Sequence, residues 1–428
     1  GAILVVLVAV AAALTLLPAV ISLLGDKIDA LRLPVIGRPA RRADEQGGFW
    51  GRTAGVVMAR PWLSLALTAG LLLAAAIPVL GMKTGQLGMG TMPEHTRTRQ
   101  AFNILQREFN YEVGARADIV ISGQLQDVQV QEAMSRLRSD LAADAAFVAD
   151  RSVERASIDG RVALLSVPLV GDPDTDGPQE AVRRLRRQYI PSAFEGVAAE
   201  ALVTGGVAGT LDFFDITGQF TPIVFAFVLG LSFILLTIVF RSLVVPVKAI
   251  LLNLLSVGAT YGLMVLVFQH GVGASLLGFT PAPVIQAWIP LFLFSVLFGL
   301  SMDYHVFLLS RIRERFDKTG DNEEAVSFGL RTTGGIITGA ALIMVAIFAG
   351  FASGQLVTFQ QVGFGLAVAV LLDATIVRSI LVPASMKLLG RRNWYLPKAL
   401  AWLPVVGAEG AGAEKDAVKV EGRGVSRH

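Results

Sequence analysis

The chain has 428 residues, of which 53% are hydrophobic and only 17% are charged, and its formal net charge is +3. A mean hydropathy of +0.60 is too high, and charge too sparse, for an ordinary soluble domain of this length. The absence of cysteine excludes disulfides and thiolate metal sites, and the four histidines lack metal-site spacing.

Seven apolar stretches are long enough to cross a bilayer as helices, which takes about 20 residues each. They lie at 1–24, 62–81, 220–240, 246–268, 288–310, 333–352 and 359–386. No basic region precedes the first stretch, so it is a poor secretory signal and is interpreted as the last spanning helix of a truncated first half. The tail, 391–428, is rich in Gly, Ala and charge after "NWYLP" and is predicted to be cytoplasmic and disordered.

Lys and Arg residues are distributed unevenly between the loops. The segment 25–61 carries seven and 311–331 carries five, whereas 269–287 and 353–358 carry none. The positive-inside rule therefore makes 25–61 a cytoplasmic linker and places the polar insertion 82–219 outside the cytoplasm. That insertion has 14 basic and 19 acidic residues, a net charge of −5. We expect a multi-pass protein of the cell (plasma) membrane.

The insertion 82–219 has its own pattern of strands and helices. Its predicted elements are a strand at 117–122, a helix at 127–142, a hairpin at 152–170 turning at Asp159-Gly160, a helix at 178–190 and a strand at 200–206. The order βαββαβ is that of the split ferredoxin-like unit. The predicted fold class is a mainly α membrane protein, with a helical bundle and an extracytoplasmic α+β ferredoxin-like domain. After that domain, 220–390 is predicted to form a five-helix transmembrane bundle.

An internal repeat relates the two ends of the chain. "LLPAVISLLG" (16–25) aligns with "LVPASMKLLG" (381–390) at a constant offset of 365 residues. Pro, Ala and Gly coincide as well as leucine, which chance similarity between leucine-rich helices does not explain. Duplicated halves are typical of transporters, and only one complete half is present in this sequence.

Four ionisable residues between the apolar boundaries of the predicted spans are candidate functional residues, because charges at membrane depth mark ion or substrate paths. They are Asp303, His305, Asp373 and Arg378. A carboxyl group at Asp303 in apolar surroundings can exchange a proton near neutral pH, and Tyr304 can donate a hydrogen bond to a facing carboxylate. The alternative for Asp303 is a structural carboxylate.

The other three positions are interpreted from their spacing. His305 is two residues from Asp303, so the two point to different faces of a helix, and its closeness to Arg311 indicates the membrane interface. Asp373 and Arg378 are five residues apart, so each is expected to pair with another helix. For these two a structural ion pair and a relay role both remain open.

Small residues predict where helices approach closely. Gly258-x-x-x-Gly262 and Gly335-x-x-x-Gly339 have the spacing of close helix contacts. Asn253, Ser256 and Thr260 form a polar stripe on the first of these helices, and packing is its better explanation.

Four segments resemble the C-terminal half of actinobacterial MmpL transporters, members of the resistance–nodulation–division superfamily. They read "VFRSLVVPVKAILLNLLSVGATYG" (239–262), "FGLSMDYHVFLLSRIRER" (298–315), "GGIITGAALIMVAIFAGF" (334–351) and "LLDATIVRSILVPASMKLLGRRNWYLP" (371–397). The resemblance implies proton-driven export of lipids or lipid-like molecules to the cell envelope, with an extracytoplasmic porter domain at 82–219. It also implies that Asp303-Tyr304 is the proton relay, with Asp373, Arg378 and His305 as possible intramembrane polar partners.

The resemblance also sets expectations for partners. No cofactor or metal is expected, because the proton gradient supplies the energy. The first half, with its own porter domain and Asp-Tyr pair, is missing, so a complementary N-terminal half or a second copy is expected, and nucleic acid is not. Two alternatives remain: a non-conducting scaffold that only binds partner proteins, and an intramembrane aspartyl protease using the two aspartates.

Overall fold

A computed structural model describes residues 2–25, 49–88, 91–109, 115–171, 173 and 175–403. Most of the predicted linker (26–48) and the end of the predicted tail (404–428) lie outside the described residues. Within the described ranges, seven helices are long and apolar enough to cross a membrane, which confirms the seven predicted spans. These spans are Ile3–Leu24, Pro61–Gly81, Gly206–Phe240, Val244–Gln269, Ile289–Thr319, Asn322–Ala352 and Val357–Trp394.

The α-helices are numbered in chain order over the described residues. They are α1 (Ala2–Leu24), α2 (Phe49–Ala59), α3 (Pro61–Ala76), α4 (Arg97–Phe109), α5 (Val128–Ala143), α6 (Asp176–Arg184), α7 (Ile190–Phe194), α8 (Gly206–Phe240), α9 (Val244–Met264), α10 (Ala274–Leu277), α11 (Ile289–Thr319), α12 (Asn322–Ala352), α13 (Val357–Leu372) and α14 (Val382–Leu389). The strands are β1 (Thr84–Gly85), β2 (Arg116–Gly123), β3 (Val153–Ala156), β4 (Val162–Pro168), β5 (Ala199–Thr204) and β6 (Ile285–Gln286).

Several helices are extended or joined by tighter or wider turns. A 3₁₀ turn, Ile77–Gly81, continues α3, and a π-helical turn, Val265–Gln269, continues α9. A second π-helical turn, Leu185–Tyr189, joins α6 to α7. The longest, Asp373–Leu381, joins α13 to α14 and places nine residues of the last span in π-helical geometry.

The α+β unit is a four-stranded antiparallel sheet with strand order β3-β4-β2-β5. Every second residue of β2, such as Ala117, Ile119 and Ile121, is buried in the core of this unit together with residues of α5, α6 and α7. The connection order is the βαββαβ predicted from the sequence. The hairpin between β3 and β4 closes with a longer loop than predicted, because Ser157 N donates to Val162 O at 2.7 Å.

A polar cluster ties the end of α5 to α6 and to the turn that follows it. Asp144 Oδ2 accepts hydrogen bonds from Arg184 Nη2 at 2.7 Å and from Tyr189 Oη at 2.9 Å, and its Oδ1 accepts from the Ala146 amide at 3.0 Å. Burial raises the pKa of the Asp144 carboxyl, but these hydrogen bonds stabilise the ionised form more, so its pKa lies below the ordinary value. The cluster is a structural ion pair.

The helix α8 joins the α+β unit to the bundle without a break. With 35 residues it is about 52 Å long, which exceeds the ~30 Å hydrocarbon core of a bilayer. Its first turns therefore belong to the α+β unit, where Val207, Ala208 and Leu211 are buried. Gly205 precedes the helix at φ +107°, and a Cβ there would lie 2.9 Å from the Arg116 carbonyl oxygen, so only glycine fits this junction.

One of the two predicted close helix contacts is present. On α9, Gly262 packs directly on the backbone of Ala75 in α3, and a Cβ at Gly258 would lie in ordinary contact, 3.5 Å from the Ala76 Cβ. The contact predicted for Gly335 and Gly339 does not occur among the described residues, because a Cβ at either would meet no atom within 4 Å.

The start of the predicted tail is ordered, contrary to the prediction. Asn393 is fully buried, and its side-chain nitrogen donates to Met386 O at 2.8 Å and to Gly390 O at 2.7 Å. Ser242, just before α9, donates its hydroxyl to Asn393 O at 2.6 Å. Residues 391–403 therefore belong to the folded bundle, because a buried amide satisfies carbonyls at the end of α14.

The contact between α9 and α3 generates a testable prediction. Gly262→Ala should lower the thermal unfolding temperature of the purified chain, because the added methyl overlaps the Ala75 backbone, an overpacking cost of about 1–3 kcal/mol. The matched control is Gly258→Ala, one turn earlier on the same face. Equal unfolding temperatures for the two variants would contradict this packing.

Candidate functional site

The last span contains a buried ion pair made possible by its π-helical segment. Arg378 and Asp373 are 2% and 9% exposed, and Arg378 Nη2 donates to Asp373 Oδ2. In a π-helix the backbone bonds run from i to i+5, so residues five apart face each other. The sequence analysis expected Asp373 and Arg378 each to pair with a residue on another helix. That expectation is wrong for the ion pair, because the two residues pair with each other. One further contact does cross helices, since Arg378 Nη2 also donates to Ser301 O in α11 at 3.0 Å.

The helix α11 contributes three residues to the surroundings of this pair. Ser301 Oγ donates to Asn253 Oδ1 of α9 at 2.8 Å. The ring of Tyr304 lies beneath the Arg378 guanidinium, whose carbon is 4.6 Å from the ring centroid. His305 Nδ1 lies 3.3 Å from Ser301 O. Asn253, which the sequence assigned to packing, thus connects α9 to the same cluster.

The position predicted for His305 is wrong. Its side chain is 1% exposed and lies inside the bundle, next to Ser301, rather than at a membrane interface. Positions four apart on a helix share one face, and this places His305 over Ser301. The prediction relied on the distance between His305 and Arg311 along the helix axis. That distance does not determine which face of the helix His305 occupies.

Asp303 points the other way. Its side chain is exposed, and it makes no hydrogen bond or ion pair with any described residue. Two residues along a helix correspond to a rotation of about 200°, so a helix that turns Ser301 and His305 inward turns Asp303 outward. The expectation that Asp303 is buried is therefore wrong for this chain by itself, although Asp303 and His305 do lie on different faces, as predicted.

Tyr304 lies between the two faces. Its hydroxyl has a weak partner among the described residues, the sulfur of Met344 at 3.6 Å. A thioether is a poor acceptor, so the phenol retains capacity for a stronger hydrogen bond from another partner.

Several polar atoms of the cluster lack partners within the described residues. They are Asn253 Nδ2, His305 Nε2, Asp373 Oδ1 and Arg378 Nε. A cavity of about 20 Å³ lies against Asn253, Ser301, Tyr304, Asp373 and Arg378. That volume accommodates one water molecule, which needs two to four polar partners. The arrangement has room for one water molecule next to a carboxylate inside the bundle.

Sequence reasoning overlooked one further buried cation. Lys248, in the first turns of α9, is 8% exposed, and its ammonium lies 3.5 Å from Asn393 Oδ1. Its position inside a predicted span was the available signal. Among the described residues, no group of three or more His, Asp or Glu side chains is placed to hold a metal ion.

Comparisons with known proteins place the sequence of this chain in a family. A sequence profile described as "MMPL family" matches residues 90–406. The heme uptake protein MmpL11 of Mycobacterium tuberculosis is 37% identical over 94% of the chain and 41% of its own length. The mycolic acid-containing lipids exporter MmpL11 of Mycolicibacterium smegmatis is 36% identical over 98% of the chain and 44% of its own length. The trehalose monomycolate exporter MmpL3 of M. tuberculosis is 31% identical over 90% of the chain and 43% of its own length.

The chain therefore spans less than half the length of these curated relatives.

The ion pair is tested by a double-mutant cycle on thermal unfolding of the purified chain. Arg378→Met should cost about 3–5 kcal/mol, because it leaves the Asp373 carboxylate buried and unpaired. The double variant Asp373→Leu with Arg378→Met should cost much less, since no isolated charge remains. The control cycle uses Lys387 and Glu323, an exposed pair at 2.7 Å, which should couple by less than about 1 kcal/mol. Additive costs at Asp373 and Arg378 would contradict the pairing.

Proposed function

The chain belongs to the MMPL family, and from this membership we propose that it forms half of a secondary transporter. In this proposal the transporter exports lipids or lipid-like molecules to the cell envelope and is driven by the proton-motive force. The observation that carries the proposal is the buried pair of Asp373 and Arg378 with the small cavity beside it. Ionisable groups at membrane depth are costly and serve ion pathways by default.

The proposed cargo follows from the relatives. Two of them are named as exporters, one of mycolic acid-containing lipids and one of trehalose monomycolate. Family membership also favours transport over catalysis. The M. tuberculosis relative named for heme uptake makes heme a second cargo to include in transport assays.

We propose that Asp303 and Tyr304 form the proton relay across a contact with a second half. Asp303 occupies the exposed face of α11, where a complementary half would pack and bury it. Tyr304 connects that face to Arg378 through its ring. Asp373, Arg378 and His305 would then hold the inner polar end of the same pathway. The complementary half is either a separate N-terminal segment or a second copy of the chain.

The two alternatives receive less support. An aspartyl protease needs two carboxylates that share one site, whereas Asp373 is bound to Arg378 inside the bundle and Asp303 is exposed on the opposite face of α11. A non-conducting scaffold does not require a buried ion pair with a cavity between four helices. Transport by the assembled protein separates the scaffold from the transporter.

The relay is tested with Asp303→Asn in the transporter assembled from this chain and its complementary half. The variant keeps the size and polarity of the side chain but cannot exchange a proton. Lipid export driven by a pH gradient in proteoliposomes should fall by at least about tenfold, with normal yield of folded protein. Tyr304→Phe should reduce export less.

The matched control for this test is Asp317→Asn, the same substitution on the same helix. Asp317 forms an exposed pair with Arg313 at 2.9 Å, so its loss should leave export unchanged. Export by Asp303→Asn at the wild-type rate would show that Asp303 is not the coupling residue.

The proposed orientation is tested by reporter insertion. A reporter that is active only outside the cytoplasm should work in the loop between β3 and β4, at the fully exposed Ile158. The same reporter should be silent next to Gly320, in the turn between α11 and α12. The reverse pattern would contradict the assignment of the α+β unit to the extracytoplasmic side.

A further inference from the structure

At the end of the bundle next to the α+β unit, two short strands join distant parts of the chain. The strand β1 follows the α3 span and leads toward the α+β unit, and β6 immediately precedes α11. They pair in parallel, with Ile285 N donating to Lys83 O and Ala287 N donating to Gly85 O, both at 2.9 Å. The connection to the α+β unit is thus fastened to the start of the helix that carries Ser301, Tyr304 and His305.

Three glutamine side chains extend this contact to the last span. Gln361, in the second turn of α13, is completely buried; its Oε1 accepts from Gln286 N at 3.0 Å and its Nε2 donates to Val284 O at 3.0 Å. Its amide thus pairs with β6 on the edge opposite β1. Gln286 in turn accepts from Leu87 N at 3.0 Å and donates to Gln86 Oε1 at 2.7 Å. We call Gln86, Gln286 and Gln361 the glutamine clasp.

We propose that the glutamine clasp transmits movement of the last span to the α+β unit during transport. This inference rests on the transport function proposed above. Gln361 lies 12 residues before Asp373 in one continuous helix, a separation of about 18 Å along the axis. A shift of α13 that accompanies rearrangement of the Asp373–Arg378 pair therefore reaches β6 through the two hydrogen bonds of Gln361. It reaches Gln86 and Leu87, directly after β1, through the two hydrogen bonds of the Gln286 side chain.

The clasp is suited to transmission because Gln361 holds the backbone next to α11 through two direct hydrogen bonds. Both hydrogen-bonding groups of the Gln361 amide are used, and they are directed at the backbone of one strand, so the side chain has one fitting orientation. The neighbouring Gln360 fastens the same helix to the loop between α10 and β6, accepting from Thr280 N at 3.1 Å. Rigid elements joined by hydrogen bonds are one physical route by which distant sites are coupled.

The first test separates proton movement from export in the assembled transporter reconstituted in proteoliposomes. Gln361→Met keeps the length of the side chain and removes both hydrogen bonds to β6. We expect lipid export at least about tenfold slower than wild type, while proton influx along an imposed pH gradient continues. Gln86→Met, which removes only the bond between two side chains, should fold in any case and slow export about threefold.

The control is Gln131→Met, which removes one glutamine hydrogen bond inside the α+β unit, from Gln131 Nε2 to Leu125 O, and should change neither rate. Wild-type export by both Gln361→Met and Gln86→Met would overturn the proposal. Equal loss of proton influx and export would overturn it too, because it would indicate a purely structural role.

The second test measures the coupling between the last span and the α+β unit without cargo or a proton gradient. It therefore decides the proposal even if the transport function proves wrong. This chain has no cysteine, so spin labels can be placed at Glu200→Cys in β5 and Leu356→Cys next to α13, both exposed positions, in the purified chain. Asp373→Asn should shift the distance between the labels when Gln361 is present and leave it unchanged in Gln361→Met. The same shift in both backgrounds, or no shift in either, would contradict the proposal.

Discussion

The buried ion pair between Asp373 and Arg378 is the interaction around which the bundle is organised. Two charges inside an apolar bundle are tolerated only when they are paired and hydrogen-bonded. A regular α-helix does not bring residues five apart together, and the π-helical geometry of Asp373–Leu381 does. The carbonyl of Ser301 and the ring of Tyr304 complete the surroundings of Arg378, so the pair also determines how α11 is rotated against the last span.

This rotation of α11 has a consequence for function. When Ser301 and His305 face the ion pair, Asp303 must face outward, because it lies on the opposite side of the helix. An exposed carboxylate is costly against lipid but suited to a protein contact. The chain spans less than half the length of the MmpL11 and MmpL3 relatives, and a complementary half packed on this face would give Asp303 a protein environment.

The seven spans and the α+β unit were predictable because they depend on local periodicity. Long apolar runs, alternating residues such as Ala117, Ile119 and Ile121, and a polar insertion between spans are visible in one sequence. The shared helix face of Ser301 and His305 was also predictable, since the two residues lie four positions apart. Lys248 was missed although it lies within a predicted span.

Other features depend on tertiary contacts that leave no local pattern. The π-helical segment at Asp373–Leu381 contains no turn residue that would predict it from the sequence. The glutamine clasp joins residues about 200 and 75 positions apart. The ordered start of the tail depends on the burial of Asn393, and composition alone suggested disorder. The spacing of Gly335 and Gly339 is that of Gly258 and Gly262, yet among the described residues only the second pair contacts another helix.

The most direct measurement is lipid export from proteoliposomes containing this chain, its complementary half, or both, with and without an imposed pH gradient. The account predicts export only when both halves are present, and only with the gradient in the driving direction. Gradient-driven export by this chain with no separate half would show that it completes the relay by itself. Export by both halves that does not depend on the gradient would contradict proton coupling, the central claim.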